Sequence, residues 1–193
     1  MKREGRARLL LHVCCAPCAT APIERVSPQY DLALFFSNSN VWPKAEYEKR
    51  LNEARRLAGL VRLPLAVDPY DHVAWQRSVR GWEREPEGGE RCRHCFAFSL
   101  GRTARHAERN GFDFFSTTLT VSPHKSSRLV FEAGASFPSF LPLDFKKQGG
   151  FQQSVTLSAT YHLYRQDYCG CEFSYDARER KKGHGGQQEG DNA

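Results

Sequence analysis

The run Leu9-Leu-Leu-His-Val-Cys14, almost unbroken in its apolar character, stops abruptly in Cys-Cys-Ala-Pro-Cys and constrains the chain more than any other feature. A short run without polar alternation that ends in a loop is the pattern of a strand buried on both faces, as in parallel sheets. A second run, residues 32–36, enters the polar stretch 37–40 and then Pro43, a residue suited to the first turn of a helix. Beyond it Tyr47, Leu51, Ala54 and Leu57 fall on one helical face, Glu46 and Arg50 pair at i,i+4, and Gly59 marks the expected stop.

The alternation continues. Residues 63–67 read as a third strand, and residues 92–110 as a helix with Phe96, Leu100, Ala104 and Ala107 on its buried side. Residues 112–119 supply a fourth strand and residues 140–145 a weaker fifth. Residues 152–165 form a last helix, with Val155, Ala159 and Leu163 in register. Strands alternating with helices imply an α/β, Rossmann-like fold, with a mainly parallel sheet covered by helices on both faces. A length of 193 residues with 40% hydrophobic content suits one domain.

Three regions lie outside that pattern. Residues 1–8 form a basic N-terminal extension carrying a net +3 of the chain's formal +6, residues 83–91 read as a mobile surface loop, and residues 176–193 are too polar to pack and read as a disordered tail. The domain between them, residues 9–175, is mildly basic, which suits a polyanionic partner such as RNA. No apolar run approaches the length of a spanning helix and no signal-type segment opens the chain, so no membrane partner and a cytoplasmic location are expected.

Function should reside in the cysteines. Seven of them fall into three groups: Cys14, Cys15 and Cys18 at the end of the first strand; Cys92 and Cys95 at a helix start; and Cys169 and Cys171 around Gly170 after the last helix. An odd count with such close spacing reads as metal ligation or redox chemistry rather than a disulfide framework. Thiols three apart in a first helical turn face the same side, and the helix dipole favours their thiolate forms. In an open parallel sheet ligands collect beyond the carboxyl ends of the strands, where all three groups would meet. Together they offer more thiolates than a tetrahedral zinc can use. A [4Fe-4S] cluster also takes four, adds electron transfer, and leaves a pair free to act as a dithiol. A four-cysteine zinc site with the remaining thiols buried is the alternative. The turn after the first strand lacks the glycines and serines that cradle a pyrophosphate, and no Gly-x-Gly-x-x-Gly or Walker sequence occurs, which counts against ATP- and nicotinamide-dependent readings.

Six motifs in order carry a family resemblance: Leu-His-Val-Cys-Cys-Ala-Pro-Cys (11–18), Asn-Val-Trp-Pro-Lys-Ala-Glu-Tyr (40–47), Glu-Arg-Cys-Arg-His-Cys-Phe (90–96), Thr-Thr-Leu-Thr-Val-Ser-Pro-His-Lys (117–125), Asp-Phe-Lys-Lys (144–147) and Leu-Tyr-Arg-Gln-Asp-Tyr-Cys-Gly-Cys (163–171). Over roughly residues 9–175 the chain resembles the QueH family of cobalamin-independent epoxyqueuosine reductases. The resemblance implies an adenine nucleotide alpha hydrolase (HUP-like) version of the Rossmann-like fold. It also implies reduction of the epoxide of epoxyqueuosine at the tRNA wobble position, the last step of queuosine synthesis, with electrons from an external donor. By the family pattern Cys14, Cys15, Cys92 and Cys95 would hold a [4Fe-4S] cluster and Cys169 with Cys171 would form a redox-active disulfide. An additional mononuclear iron is associated with the family, and Cys18 would be its candidate ligand. A tRNA sulfur-transfer enzyme and a zinc-dependent RNA-binding module are the competing functions, the former weakened by the missing phosphate loop.

Further residues follow the strands at the same edge. Lys125 and His124 could meet tRNA phosphate, and His124 could donate a proton; a capped loop with a solvated lysine is the bland reading. Asp144 is a candidate acid or base or simply a turn cap, with Lys146 and Lys147 beside it. Arg165 suits an RNA phosphate. Trp42, Tyr47, Tyr161, Tyr164 and Tyr168 could stack on splayed bases, though core or rim roles are commoner. His12 reads as a hydrogen-bonded core histidine.

Overall fold

A computed structural model describes residues 5–185. The elements run β1 (Arg8–His12), α1 (Ala16–Val26), β2 (Asp31–Phe36), α2 (Lys44–Val61), β3 (Leu65–Val67), α3 (His72–Ser78), α4 (Glu90–Arg109), β4 (Phe114–Thr117), α5 (Ser127–Gly134), α6 (Gly150–Thr160) and α7 (Glu172–Gly185). The four strands form a parallel sheet in the order β3-β2-β1-β4. Leu11 sits opposite Leu34 on β2 and Ser116 on β4.

Strand alternation divides the interior into two cores, one on each face of the sheet. Leu9 and Leu11 of β1, with Leu34 and Phe36 of β2, pack with Ala19 and Ile23 of α1 and Leu51, Ala54 and Leu57 of α2. Leu10 and Phe35 point the other way, to Phe96 and Leu100 of α4 and Val130 of α5. Both faces of β1 are therefore dry, which is why its sequence is a continuous apolar run. The chain leaves β1 toward β2 on one side and later returns to β4 on the other. The carboxyl ends of β1 and β4 thus border a topological switch point, the position where open α/β sheets bind ligands.

Several boundaries differ from the sequence expectation. Helix α2 passes through Gly59 to Val61 and ends on Arg62 in the left-handed conformation (φ 56°), whose amide reaches the Ala58 and Gly59 carbonyls. The fifth strand shrinks to a single parallel bridge, Phe115 to Phe140, since Pro142 cannot donate to a ladder. Helix α6 stops at Thr160, where His162 takes φ 50°, so Arg165 lies in a loop. Helices α1, α3 and α5 had no sequence signal strong enough to mark them: α1 carries two prolines in eleven residues, and α3 and α5 are only about two turns each, capped by Asp71 and Ser126.

The expected surface loop 83–91 is anchored by Arg91, which donates to the Glu83 carbonyl at 2.9 Å and to the Glu85 carbonyl, and its last two residues already belong to α4. The polar tail expected from residue 176 instead continues α7 to Gly185, with Arg178 bonded to Asp167 at 2.6 Å and lying over the rings of Tyr168 and Tyr175. Residues 186–193 and 1–4 of the expected extensions lie outside the described residues. No helix among the described residues is long and apolar enough to cross a membrane.

Candidate metal centre and active site

Cys14 leaves β1 at the switch point. Its amide donates to Thr118 Oγ1 at 3.1 Å, and the Thr118 hydroxyl lies 3.3 Å from Cys14 Sγ, so the ends of β1 and β4 are joined through this one cysteine. Cys15 is the N-cap of α1 and Cys18 lies in its first turn. This tight entry into a helix brings the sulfurs of Cys14, Cys15 and Cys18 within 4.8 Å of one another.

The other two groups arrive from different elements. Cys92 and Cys95 sit near the N-terminus of α4, and Cys169 and Cys171 flank Gly170 just before α7. One cavity is lined by Cys14, Cys95 and Cys169 together, a member of each group, along with His12, Arg50 and Lys125. It adjoins a larger cleft of about 650 Å³ whose walls include Cys18, Cys169, His124, Lys125, Arg165 and Tyr168. All seven cysteines are unpaired.

The electrostatics of the array follow from crowding. Hydrogen bonds from Cys14 and Cys18 hold Cys15 well below the ordinary thiol range, while Cys14 is pushed up to about 12 and Cys18 well above its usual value by the same contacts. Burial pushes Cys92 up to about 11 and Cys95 well above the normal range, outweighing the helix dipole that favours their thiolates. Burial would pull Lys125 down, but the neighbouring Cys169, Cys14, Cys18 and Cys15 together hold it above its ordinary value. Lys125 is, with Arg50, a cation of a sulfur-rich site, and its carbonyl accepts from Lys146 Nζ at 2.5 Å.

His12 is 1% exposed and hydrogen-bonded at both nitrogens, to Ser37 O at 3.1 Å and Thr117 Oγ1 at 2.9 Å. A carbonyl only accepts, so Nε2 carries the proton and Nδ1 accepts from the Thr117 hydroxyl. Burial pushes its pKa down to about 4, which keeps the ring neutral.

The remaining sequence-marked residues divide. His124 and Arg165 line the cleft; Arg165 Nη1 is bonded to Ser158 Oγ at 2.8 Å. Asp144 lies apart, lining a depression with Arg25 and Tyr30, where its Oδ1 accepts from Ser127 Oγ at 2.9 Å. Of the five aromatics considered for stacking, Tyr168 lines the cleft, Trp42 is 40% exposed, and Tyr47 is buried in the core. Tyr164 donates to Glu46 and Tyr161 packs against the core at its edge.

Sequence reasoning missed four residues that shape the site. Arg50, expected only to pair with Glu46 at i,i+4, does so but is also buried and holds the Cys169 segment. Trp75, Gln166 and Thr118 each direct a hydrogen-bond donor at a cysteine sulfur. Thr118 and Gln166 fall within the motifs 117–125 and 163–171, but no local pattern assigns any of the four its partner at the site, because those partners are distant in the chain.

A family model described as "Epoxyqueuosine reductase QueH" matches residues 9–177. Among curated relatives, the protein named epoxyqueuosine reductase QueH from Streptococcus pyogenes serotype M1 is 41% identical over 187 residues, spanning 90% of this chain and 72% of its own length. Its namesake from Thermotoga maritima is 36% identical over 191 residues, spanning 91% and 98%. Among solved structures, the U34-tRNA thiolase NcsA from Methanococcus maripaludis with its [4Fe-4S] cluster superposes with a TM-score of 0.52 at 9% identity, over 95% of this chain and 67% of that one. This last likeness bears on the fold alone.

Proposed function

Because the chain belongs to the QueH family of epoxyqueuosine reductases, we propose that it reduces the epoxide of epoxyqueuosine in tRNA to the alkene of queuosine, acting in the cytoplasm through the cysteine array of residues 9–175. The observation that carries the reading is the meeting of Cys14, Cys95 and Cys169, from three separate segments, around one cavity beside an open cleft.

The donor set suits an iron-sulfur cluster. Cys14 and Cys15 from the β1 end and Cys92 and Cys95 from α4 would hold a [4Fe-4S] cluster, and Cys18, within 4.8 Å of the first two sulfurs, is the candidate ligand of an additional mononuclear iron. Such a centre supplies single-electron transfer and Lewis acidity toward an oxygen. Zinc would engage four thiolates but, having no redox change of its own, could pass no electrons from an external donor to the site.

The protein's own groups account for the rest of the balance. Removing the epoxide oxygen breaks two C–O bonds, forms the C=C bond and releases water, which consumes two electrons and two protons. Oxidation of the Cys169 and Cys171 thiols to a disulfide delivers that number of each, and an external electron donor then restores the dithiol. Lys125, His124 and Arg165 would meet RNA phosphate or the nucleoside at the cleft, Lys146 would support Lys125 through its bond to the Lys125 carbonyl, and His124 rather than the distant Asp144 would relay a proton. The test is mass analysis of tRNA nucleosides after incubation with reconstituted, reduced protein without ATP. Appearance of queuosine supports reduction; unchanged epoxyqueuosine, or a thiolated product requiring ATP, overturns it.

A further inference from the structure

Four hydrogen-bond donors from four parts of the chain converge on sulfur. The Trp75 indole Nε1 lies 3.3 Å from Cys95 Sγ, the Gln166 amide Nε2 3.1 Å from Cys15 Sγ, the Gly88 backbone amide 3.2 Å from Cys92 Sγ, and the Thr118 hydroxyl 3.3 Å from Cys14 Sγ. These four sulfurs are the ones assigned to the cluster above. Each receives a donor from a segment other than its neighbour's: α3, the loop after α6, the loop before α4, and the turn after β4.

Trp75 is the most constrained of the four donors. Its side chain is fully buried, and a buried indole N–H normally finds an oxygen acceptor. Here its partner is a sulfur. A neutral thiol is a weak acceptor, whereas a thiolate is anionic and accepts strongly. Three side chains and one backbone amide directed at sulfur therefore suit thiolates held deprotonated by a bound metal.

We propose that Trp75, Gln166, Thr118 and the Gly88 amide form a hydrogen-bond shell that raises the reduction potential of the cluster held by Cys95, Cys15, Cys14 and Cys92. The inference rests on the cluster assignment of the proposed function. Adding an electron increases the negative charge on the cluster and its thiolates. Each N–H or O–H aimed at a ligand sulfur stabilises the reduced form more than the oxidised one, as hydrogen bonding to sulfur does in such centres. The shell would make the centre easier to charge from an external donor, while leaving the ligand count unchanged.

The experiment is an anaerobic redox titration followed by electron paramagnetic resonance, with iron content measured on the same samples. The wild type is compared with Trp75→Phe, Gln166→Leu, Thr118→Val and Thr118→Ser. Gln166 lies in a loop and is half-buried, so its replacement does not open the core. The expected result is a lower midpoint for the Phe, Leu and Val variants at wild-type iron content, with the wild-type midpoint kept by Thr118→Ser, which retains the hydroxyl. Unchanged midpoints in the cluster-bearing variants overturn the shell while leaving the cluster intact. Loss of the cluster from all three also overturns it, because the donors would then serve assembly rather than potential. A wild type that binds no cluster refutes the ligand assignment itself.

Discussion

Arg50 Nη1 donates to the carbonyl oxygen of Cys169 at 3.1 Å, tying the middle of α2 to the proposed redox pair 119 residues later in the chain. The same guanidinium donates to Tyr168 O at 3.4 Å and, through Nε, to Glu46 Oε1 at 2.8 Å, with 2% of the arginine and 12% of the glutamate side chain exposed. A guanidinium suits this position because its planar fork can serve three acceptors at once.

Arg50→Met therefore strands the Glu46 carboxylate in a nearly dry site. Breaking a buried pair from one side costs about 3–5 kcal/mol, and the hydroxyl of Tyr164, 3.2 Å from Glu46, places this case toward the lower end. The expected loss in urea unfolding is about 3 kcal/mol. Because the cysteine segment would shift, turnover should fall by roughly 100-fold, the scale of a displacement of about 1 Å at a reacting group. An unfolding curve matching wild type would show that the buried charge is not holding this segment.

Gly170→Ala probes the other side of the same contact. Gly170 has φ 130°, and a Cβ there would lie 2.8 Å from Arg50 Nη1. Strain of this kind costs about 1–3 kcal/mol, readable as a lower denaturation midpoint. Part of that cost comes from the guanidinium itself, so the penalty should shrink in an Arg50→Met background. Equal penalties in both backgrounds would assign the whole effect to the backbone.

What the sequence disclosed and what it hid divide along a physical line. The parallel sheet was legible because Leu9, Leu10 and Leu11 must all be buried, and only a strand covered on both faces does that. The three cysteine groups were legible because thiol spacing is a local property. Arg50 was not: an arginine four residues after a glutamate has the same sequence pattern on a surface as in the interior, and only the return of residues 168–170 over α2 covers it. Trp75 was hidden for the same reason, since its sulfur partner lies twenty residues away on another helix. Helix α1 was obscured by Pro17 and Pro22, although Pro17 falls in the first turn, where a missing N–H costs nothing.

Substitutions at the cysteines should separate cluster from dithiol. Cys92→Ala removes a proposed cluster ligand and should abolish iron binding together with visible absorbance. Cys171→Ser should keep both, because Cys171, though packed beside Cys95 with Trp75 and Val79, is outside the proposed ligand set and is hydrogen-bonded to Ser174. Its turnover should nevertheless be lost, since serine cannot form a disulfide. Full turnover of Cys171→Ser would remove the dithiol from the reaction, and iron retained by Cys92→Ala would remove that residue from the ligand set.

A pH dependence of stability follows from His106, whose ring stacks on Phe35 with centroids 4.3 Å apart. Burial lowers its pKa below the ordinary 6.5, and Asp68 offsets only part of that effect. The unfolded chain therefore takes up this proton at higher pH than the folded one. The contribution of His106 is complete above about 6.5 and declines as pH falls toward the lower folded value, where both states are protonated. His106→Gln removes this proton uptake, so the difference between wild-type and variant unfolding free energies should be constant above neutrality and should shrink as the solution is acidified below it. A difference that stays level from pH 8 to about pH 5 would mean the imidazole titrates alike in both states.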